Sequence, residues 1–375
     1  MLKSVLYSSA LLFICYFILY KGAISAFKRP TSSLDFDFTT NQIKYGNAND
    51  YKLLHKISAG KHSHVFFGTH IPTKDKVTLK IFFNATEFQV LKEFSVALKL
   101  YDAPNVLPPR DFLKEVGKGN SIKHVLVFNY FDYKPYMSLF TSLTKIQIKH
   151  FIYQTLRTLQ YAHNQGVIHN DIRPQNILMN ENSLEVKVID WGQSEYYFAN
   201  KERSTKVGTL YFKAPELLLG YKQYDYAVDI WSTGCLLAEM VFQKLPFFQK
   251  SPPDLIDPEL TKEQRRILDY MNQLEAIARI RGSEGLREYV TGKNRTYEDK
   301  LLKGIGNYEK KRFEEFVNEE NKGLIDDSVF DLLEKMLTVD FSKRITASEA
   351  LEHPYFEDVR RERIVKMGVF KDKSL

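Results

Sequence analysis

The chain has 375 residues, 44% hydrophobic and 14% aromatic, enough apolar side chain to fill a two-lobed globular protein, so disorder is excluded as the default. Its net charge of +7 would suit an acidic partner, but the basic residues are scattered and form no stripe interleaved with aromatics, so direct nucleic-acid binding is not expected. The two cysteines, Cys15 in an N-terminal apolar run and Cys235 in a predicted helix, argue against a disulfide framework and leave the compartment undecided.

From Ser4 to Tyr20 run 17 uncharged, mostly apolar residues between Lys3 and Lys21, followed by GAISAF and the basic Lys28 and Arg29. This hydrophobic targeting segment is at the short limit for a membrane span and slightly long for a signal-peptide core, with small residues suited to cleavage at Ala26. Signal peptide and membrane anchor both stay open for residues 1–30, and with the anchor comes membrane association through residues 4–20. Positive-inside counting weakly favours a cytosolic domain. A misassigned start codon is the bland alternative. The sequons at Asn84 and Asn294 would matter only in a lumenal domain. Residues 31–50, rich in Ser, Thr, Asn and Asp, read as a linker or an extended arm.

From about Tyr51, YKLLHKISAGKHSHVFFGTHI and KDKVTLKIFF carry strand patterns around a turn. That turn runs Ile57, Ser58, Ala59, Gly60, Lys61, His62, Ser63, His64, Val65. Glycine lets a loop backbone approach a phosphate closely, and Gly60 is the one glycine in this turn. Lys80 lies in VTLKIF, and thirteen residues later Glu93 lies in the helical stretch EFQVLKEFSVALKL. KHVLVFNYFDY reads as an apolar buried strand. IQIKHFIYQTLRTLQYAHNQG repeats apolar residues at helical spacing and stops at Gly166.

The stretch the rest serves is residues 167–192, VIHNDIRPQNILMNENSLEVKVIDWG. Asp171 precedes the amide of Asn176 by five residues, and Asp190 closes an apolar run. Such an arrangement suits phosphoryl transfer, which asks a protein mainly to position in-line reactants and to neutralise charge through Mg²⁺. Asn176 and Asp190 supply the hard oxygens a metal needs, and Asp171 can accept or orient the proton of an attacking hydroxyl.

HNDIRPQN and DWG resemble the protein-kinase catalytic loop and its metal-binding motif, with Trp191 where Phe is usual. With the context that follows, the chain resembles the casein kinase II catalytic (alpha) subunit family over roughly residues 51 to 357. The resemblance implies an α+β, bilobal protein-kinase-like fold: a small β-rich N-lobe over 51–133, a larger, mainly helical C-lobe over 134–357, nucleotide between them and a basic tail over 358–375. It implies a Ser/Thr kinase that uses Mg²⁺ and ATP, with GTP an alternative. Protein substrates, and a regulatory (beta) subunit docking on the small lobe, are the partners it implies. The rival reading is a pseudokinase scaffold or binding protein.

By the same resemblance, the turn Ile57–Val65 covers the nucleotide phosphates, Lys80 contacts the α- and β-phosphates, Glu93 holds Lys80, Phe128 is the gatekeeper, and Asn129, Tyr130 and Phe131 line the adenine slot. His169 packs against the metal-binding motif. Arg173 replaces the lysine that steadies the transferring phosphate, keeping its charge in a different shape. Asn170 replaces the arginine that pairs with a phosphorylated activation loop, which argues against switching by that route. QSEYYFANKERSTKVGTLYFKAPELL ends as an activation segment does, so Thr209 is expected to bridge Asp171, with Lys206 and Lys213 contacting an acidic substrate. Leu210 stands where the family carries an arginine, which weakens the acidic preference. Glu216 and Arg344 should form a structural ion pair, Asp229 should brace the catalytic loop, and residues 245–320 form a long insertion.

Overall fold

The computed structural model describes residues 44–116, 122–249, 260–291 and 304–362. The apolar segment 4–20, Asn294 and the end of the basic tail lie outside the described residues. Among the described residues no helix is long and apolar enough to cross a membrane. The chain divides into two compact units, the first ending at Lys99 and resuming over Pro108–Tyr130, the second comprising Leu100–Leu107 and everything from Phe131.

The first unit is a five-stranded antiparallel sheet with one helix. Its strands are β1 (Tyr51–Ala59), β2 (Ser63–His70), β3 (Lys76–Phe82), β4 (Pro109–Val116) and β5 (Ile122–Asn129), in the order β1-β2-β3-β5-β4. Helix α1 (Glu87–Lys99) begins in a reciprocal cap, where Thr86 N donates to Gln89 Oε1 (2.8 Å) and Gln89 N to Thr86 Oγ1 (3.3 Å). Apolar spacing then gives it one buried face. Val90, Leu91 and Phe94 meet Phe82, Phe112 and Leu126 of the sheet. Each such side chain contributes about 1.5–3 kcal/mol by leaving water, so the cluster fixes the helix against β3, β4 and β5.

The second unit is mainly helical. Helix α2 (Tyr136–Phe140) is short, and α3 (Lys145–Asn164) starts in a Thr144–Gln147 capping box and buries Ile148, Phe151, Ile152, Leu156 and Leu159 at helical spacing. After Gly166, at φ 75°, come β6 (Val167–Ile168), β7 (Ile177–Met179), β8 (Val186–Val188) and β9 (Glu195–Tyr196), pairing as β6-β9 and β7-β8. Helices α4 (Pro215–Leu218), α5 (Ala227–Phe242), α6 (Lys262–Arg281), α7 (Ser283–Thr291), α8 (Ser328–Met336) and α9 (Ala347–Leu351) follow. Every residue of α5 after Ala227 is buried, so this helix is the centre of the unit's core.

Leu100–Leu107 joins the second unit for a visible reason. Thr158 Oγ1 donates to Pro104 O (3.0 Å), Asn105 Nδ2 to Gln154 Oε1 (2.9 Å) and to Val186 O (3.0 Å), and Val106 bridges Val188.

Candidate active site

In the second unit, the loop after β6 is irregular yet buried. His169, Asn170, Asp171 and Asn176 are all at most 5% exposed. Buried backbone outside a ladder needs other partners, and α5 supplies them. Asp229 accepts from His169 N through Oδ2 and from Asn170 N through Oδ1, each at 2.8 Å, while His163 Nε2 of α3 lies 2.9 Å from Oδ2. Asn170 sits at φ 68°, a left-handed conformation that asparagine tolerates better than most residues.

His169 is committed on both nitrogens. Asp171 N donates to Nδ1 (3.2 Å), which leaves Nε2 to donate to Ile189 O (3.2 Å), and the ring packs 4.5 Å from Trp191. It is a spacer between catalytic loop and DWG turn, with no nitrogen left to act as a base.

Asp171 is held at both carboxylate oxygens. Thr209 Oγ1 donates to Oδ1 (2.8 Å); Asn176 Nδ2 donates to Oδ2 (3.0 Å) and to Asp171 O (2.8 Å); Arg173 Nε lies 3.4 Å from Oδ2. Ile189 N donates to Asn176 O (2.9 Å), which ties the backbone next to Asp190 to that of Asn176. Asp190 itself has φ 62° and opens the turn Trp191–Gln193.

Gly208 brings Thr209 in. It has φ 76°, and a Cβ there would stand 2.8 Å from Asn170 O, so both conformation and close approach demand glycine. Its N–H donates to Gln193 Oε1 (2.7 Å), and Asn170 Nδ2 donates to Gln193 O (3.0 Å). Further along, Arg344 grips Glu216 bidentately at 2.7 and 3.0 Å, with both side chains fully buried.

In the first unit, Lys80 on β3 lies opposite Val65 of β2 and Leu126 of β5. Its Nζ donates to Glu93 Oε1 of α1 at 2.6 Å. The turn between β1 and β2 is closed by Gly60 N donating to Ser63 O (2.9 Å). Ser58, Ala59, Gly60, Lys61 and His62 are exposed, whereas Ile57, Ser63, His64 and Val65 are half-buried. His62 O accepts from Phe83 N (3.2 Å), and the His64 ring packs at a tilt on Phe83 at 4.4 Å, so the turn leans on the end of β3. Phe128 packs against the α1 cluster, and Tyr130 sets its ring edge on Phe67 at 4.9 Å.

Residues 51–356 match the protein kinase domain family. The chain belongs to that family. A protein kinase domain implies phosphoryl transfer from ATP, with a divalent metal, to protein substrates, and the two units have the α+β, bilobal make-up of the family.

The kinase's residues suit a divalent cation. Both hydrogens of Asn176 Nδ2 are used on Asp171, so Oδ1 is the amide atom left to face a metal, and Asp190 brings a carboxylate. Among the described residues no three His, Cys, Asp or Glu side chains gather as a metal cage. Mg²⁺ with a nucleotide needs none, because it takes one or two protein oxygens alongside phosphates and water.

One expected substrate contact needs correction. Lys213 is 4% exposed, its Nζ donates to the carbonyls of Thr205 (3.3 Å) and Val207, and burial pushes its pKa down to about 8. It is a buried brace of the activation segment and is closed to a substrate carboxylate. Lys206 is exposed.

Sequence reasoning missed His163, Gln193 and Arg203. The first two act through atoms that no motif spells: a ring nitrogen on Asp229 and an amide on Gly208. Arg203 offered a signal, as the one arginine between Asp190 and Glu216.

Proposed function

We propose that this kinase transfers the γ-phosphoryl of Mg-ATP to Ser or Thr of protein substrates, in the manner of the casein kinase II catalytic subunit and without phosphorylation of its activation segment. The observation that carries it is Asp171 fixed between Thr209 and Asn176. With one hydrogen bond on each carboxylate oxygen, Asp171 keeps lone pairs to orient an acceptor hydroxyl and take its proton. Thr209 belongs to the GTLYFKAPE stretch, and it joins the DIRPQN loop in favouring Ser/Thr over Tyr. Arg173, beside Asp171, is suited to the charge of the transferring phosphate. Asn176 and Asp190 would hold Mg²⁺, which supplies charge neutralisation at the phosphates.

In the first unit, Lys80 would contact the α- and β-phosphates, kept in direction by Glu93, while the backbone from Ile57 to Val65 covers the phosphates. Phe128 and Tyr130 would border the adenine. Because the exposed Lys206 stands without the help of Lys213, and Leu210 is apolar, the acidic preference rests on fewer cations than the family resemblance implied. GTP use and a regulatory subunit remain part of the reading by resemblance alone, and membrane attachment through residues 4–20 by the apolar composition of that segment alone.

The test is transfer from Mg-ATP to an acidic Ser/Thr peptide by the full chain after phosphatase treatment, beside Asp171→Asn. Wild type should transfer, and the variant should lose about 10³-fold in rate while still binding nucleotide. A folded wild type that transfers to neither peptide nor protein would turn the reading to a scaffold.

A further inference from the structure

Arg203 is buried in the activation segment at 6% exposure, and among the described residues no carboxylate pairs with it. Burying a guanidinium without an anion is costly, so its surroundings must compensate. They do so with carbonyls and rings. One terminal nitrogen donates to Phe198 O (3.1 Å), the other to Tyr224 O, and the guanidinium carbon lies 5.0 Å from the Tyr197 ring centre and 5.1 Å from that of Tyr224. Its backbone N donates to Lys222 O (2.9 Å), and Tyr224 Oη donates to Ser204 O (3.1 Å).

The rings continue toward the catalytic loop. Tyr197 packs on Tyr226 at 4.8 Å, Tyr226 on His163 at 4.9 Å, and His163 bonds Asp229, which holds the amides of His169 and Asn170. The activation segment and the brace of Asp171 thus share one packed chain of groups.

We propose that Arg203 is a positioning residue that pins residues 198–209 to the Lys222–Asp229 stretch, so that Thr209 reaches Asp171 with no phosphate on the segment. A phosphate that orders a segment needs cations opposite it, and at the catalytic-loop position where the family resemblance puts one, Asn170 offers an amide. Here the cation travels on the segment itself, and two tyrosine rings and two carbonyls receive it. The inference rests on the phosphoryl-transfer reading above.

The experiment compares phosphatase-treated full-length wild type with Arg203→Ala, Arg203→Lys and Tyr197→Phe. Arg203→Ala should lower kcat/KM for the peptide about 10-fold, the effect of one desolvated cation–π contact with its hydrogen bonds, while leaving KM for ATP unchanged. Amide exchange over residues 198–208 should quicken. Arg203→Lys keeps a cation over the rings but lacks the planar fork, so its loss should be smaller. Tyr197→Phe keeps the ring and should match wild type.

A folded Arg203→Ala with wild-type kcat/KM and exchange overturns the inference, as does an equal rise in KM for ATP and peptide. Should Arg203→Ala fail to fold, an Arg203→Lys chain indistinguishable from wild type in both readouts overturns it. A wild type that transfers nothing overturns the kinase reading itself, a result distinct from an active wild type indifferent to Arg203.

Discussion

Asp171 and Lys80 are held by opposite means. Asp171 sits in a buried loop whose backbone is bonded by a carboxylate 58 positions on, Asp229, and whose side chain is fixed by Asn176 and Thr209. Lys80 sits in mid-strand, where β2 and β5 set its direction through the ladder, and Glu93 of α1 meets its ammonium. The contrast teaches where precision comes from. A regular strand positions a side chain through its own hydrogen bonds, whereas an irregular loop taken out of water must borrow partners from elsewhere in the chain. Damage to the loop's partner should therefore cost stability and rate together, and damage to Glu93 rate alone.

The largest expected effect is that of Asp229→Ala. It leaves two buried backbone N–H groups and His163 without their acceptor, a loss of about 3 kcal/mol or more. Urea unfolding should show the midpoint falling, and phosphate transfer should fall with it. Unchanged stability would mean that the loop amides find other partners, and the contrast with Lys80 would break. Glu93→Gln comes next. It keeps the shape but removes the negative charge from a 2.6 Å contact, so transfer should drop about 10-fold with KM for ATP raised and the urea midpoint little moved. A large fall in stability there would put Glu93 in the same class as Asp229.

The strand half of this contrast was easier to read from sequence than the loop half. Strand alternation and helical spacing pointed to the sheet and to α1, because ladder and helix are local periodicities, whereas the Lys80–Glu93 ion pair was expected through family resemblance. HNDIRPQN and DWG marked Asp171, Asn176 and Asp190 because their spacing along the chain is short, and the GTLYFKAPE stretch marked Thr209 through family resemblance. Glu216 with Arg344 and Asp229 with the catalytic loop were expected through family resemblance, since nothing local joins residues so far apart. What stayed hidden depends on burial that only packing decides. Lys213 reads as a solvated lysine beside Lys206, yet its ammonium turns inward to the carbonyls of Thr205 and Val207. Arg203 drew no reading from the sequence, because its burial depends on Tyr224, 21 positions on, which accepts a hydrogen bond from it. Leu100–Leu107, between α1 and β4 in sequence, packs with the second unit because Asn105 and Thr158 make bonds that no periodicity announces.

Helix α5 sharpens the comparison within a single element, since it carries two buried carboxylates with unlike partners. Asp229 meets two amides and a histidine, whereas Glu239, 1% exposed, has Oε2 without a hydrogen-bond partner. Burial pushes Glu239 up to about 8 from an ordinary 4.5, although an N–H of Phe247 opposes the shift. Across that interval the folded protein keeps a proton on Glu239 that the unfolded chain releases. The unfolded state therefore binds fewer protons, and this group's stabilisation declines as pH rises from about 4.5, at about 1.4 kcal/mol per pH unit at most, until it is gone above about 8. Glu239→Gln, neutral at every pH, should remove that slope and exceed wild type in stability at pH 9, as urea unfolding at pH 5, 7 and 9 would record. An unaltered slope would mean that Glu239 is ionised in the folded kinase and has found a donor, and the two carboxylates of α5 would then be held alike.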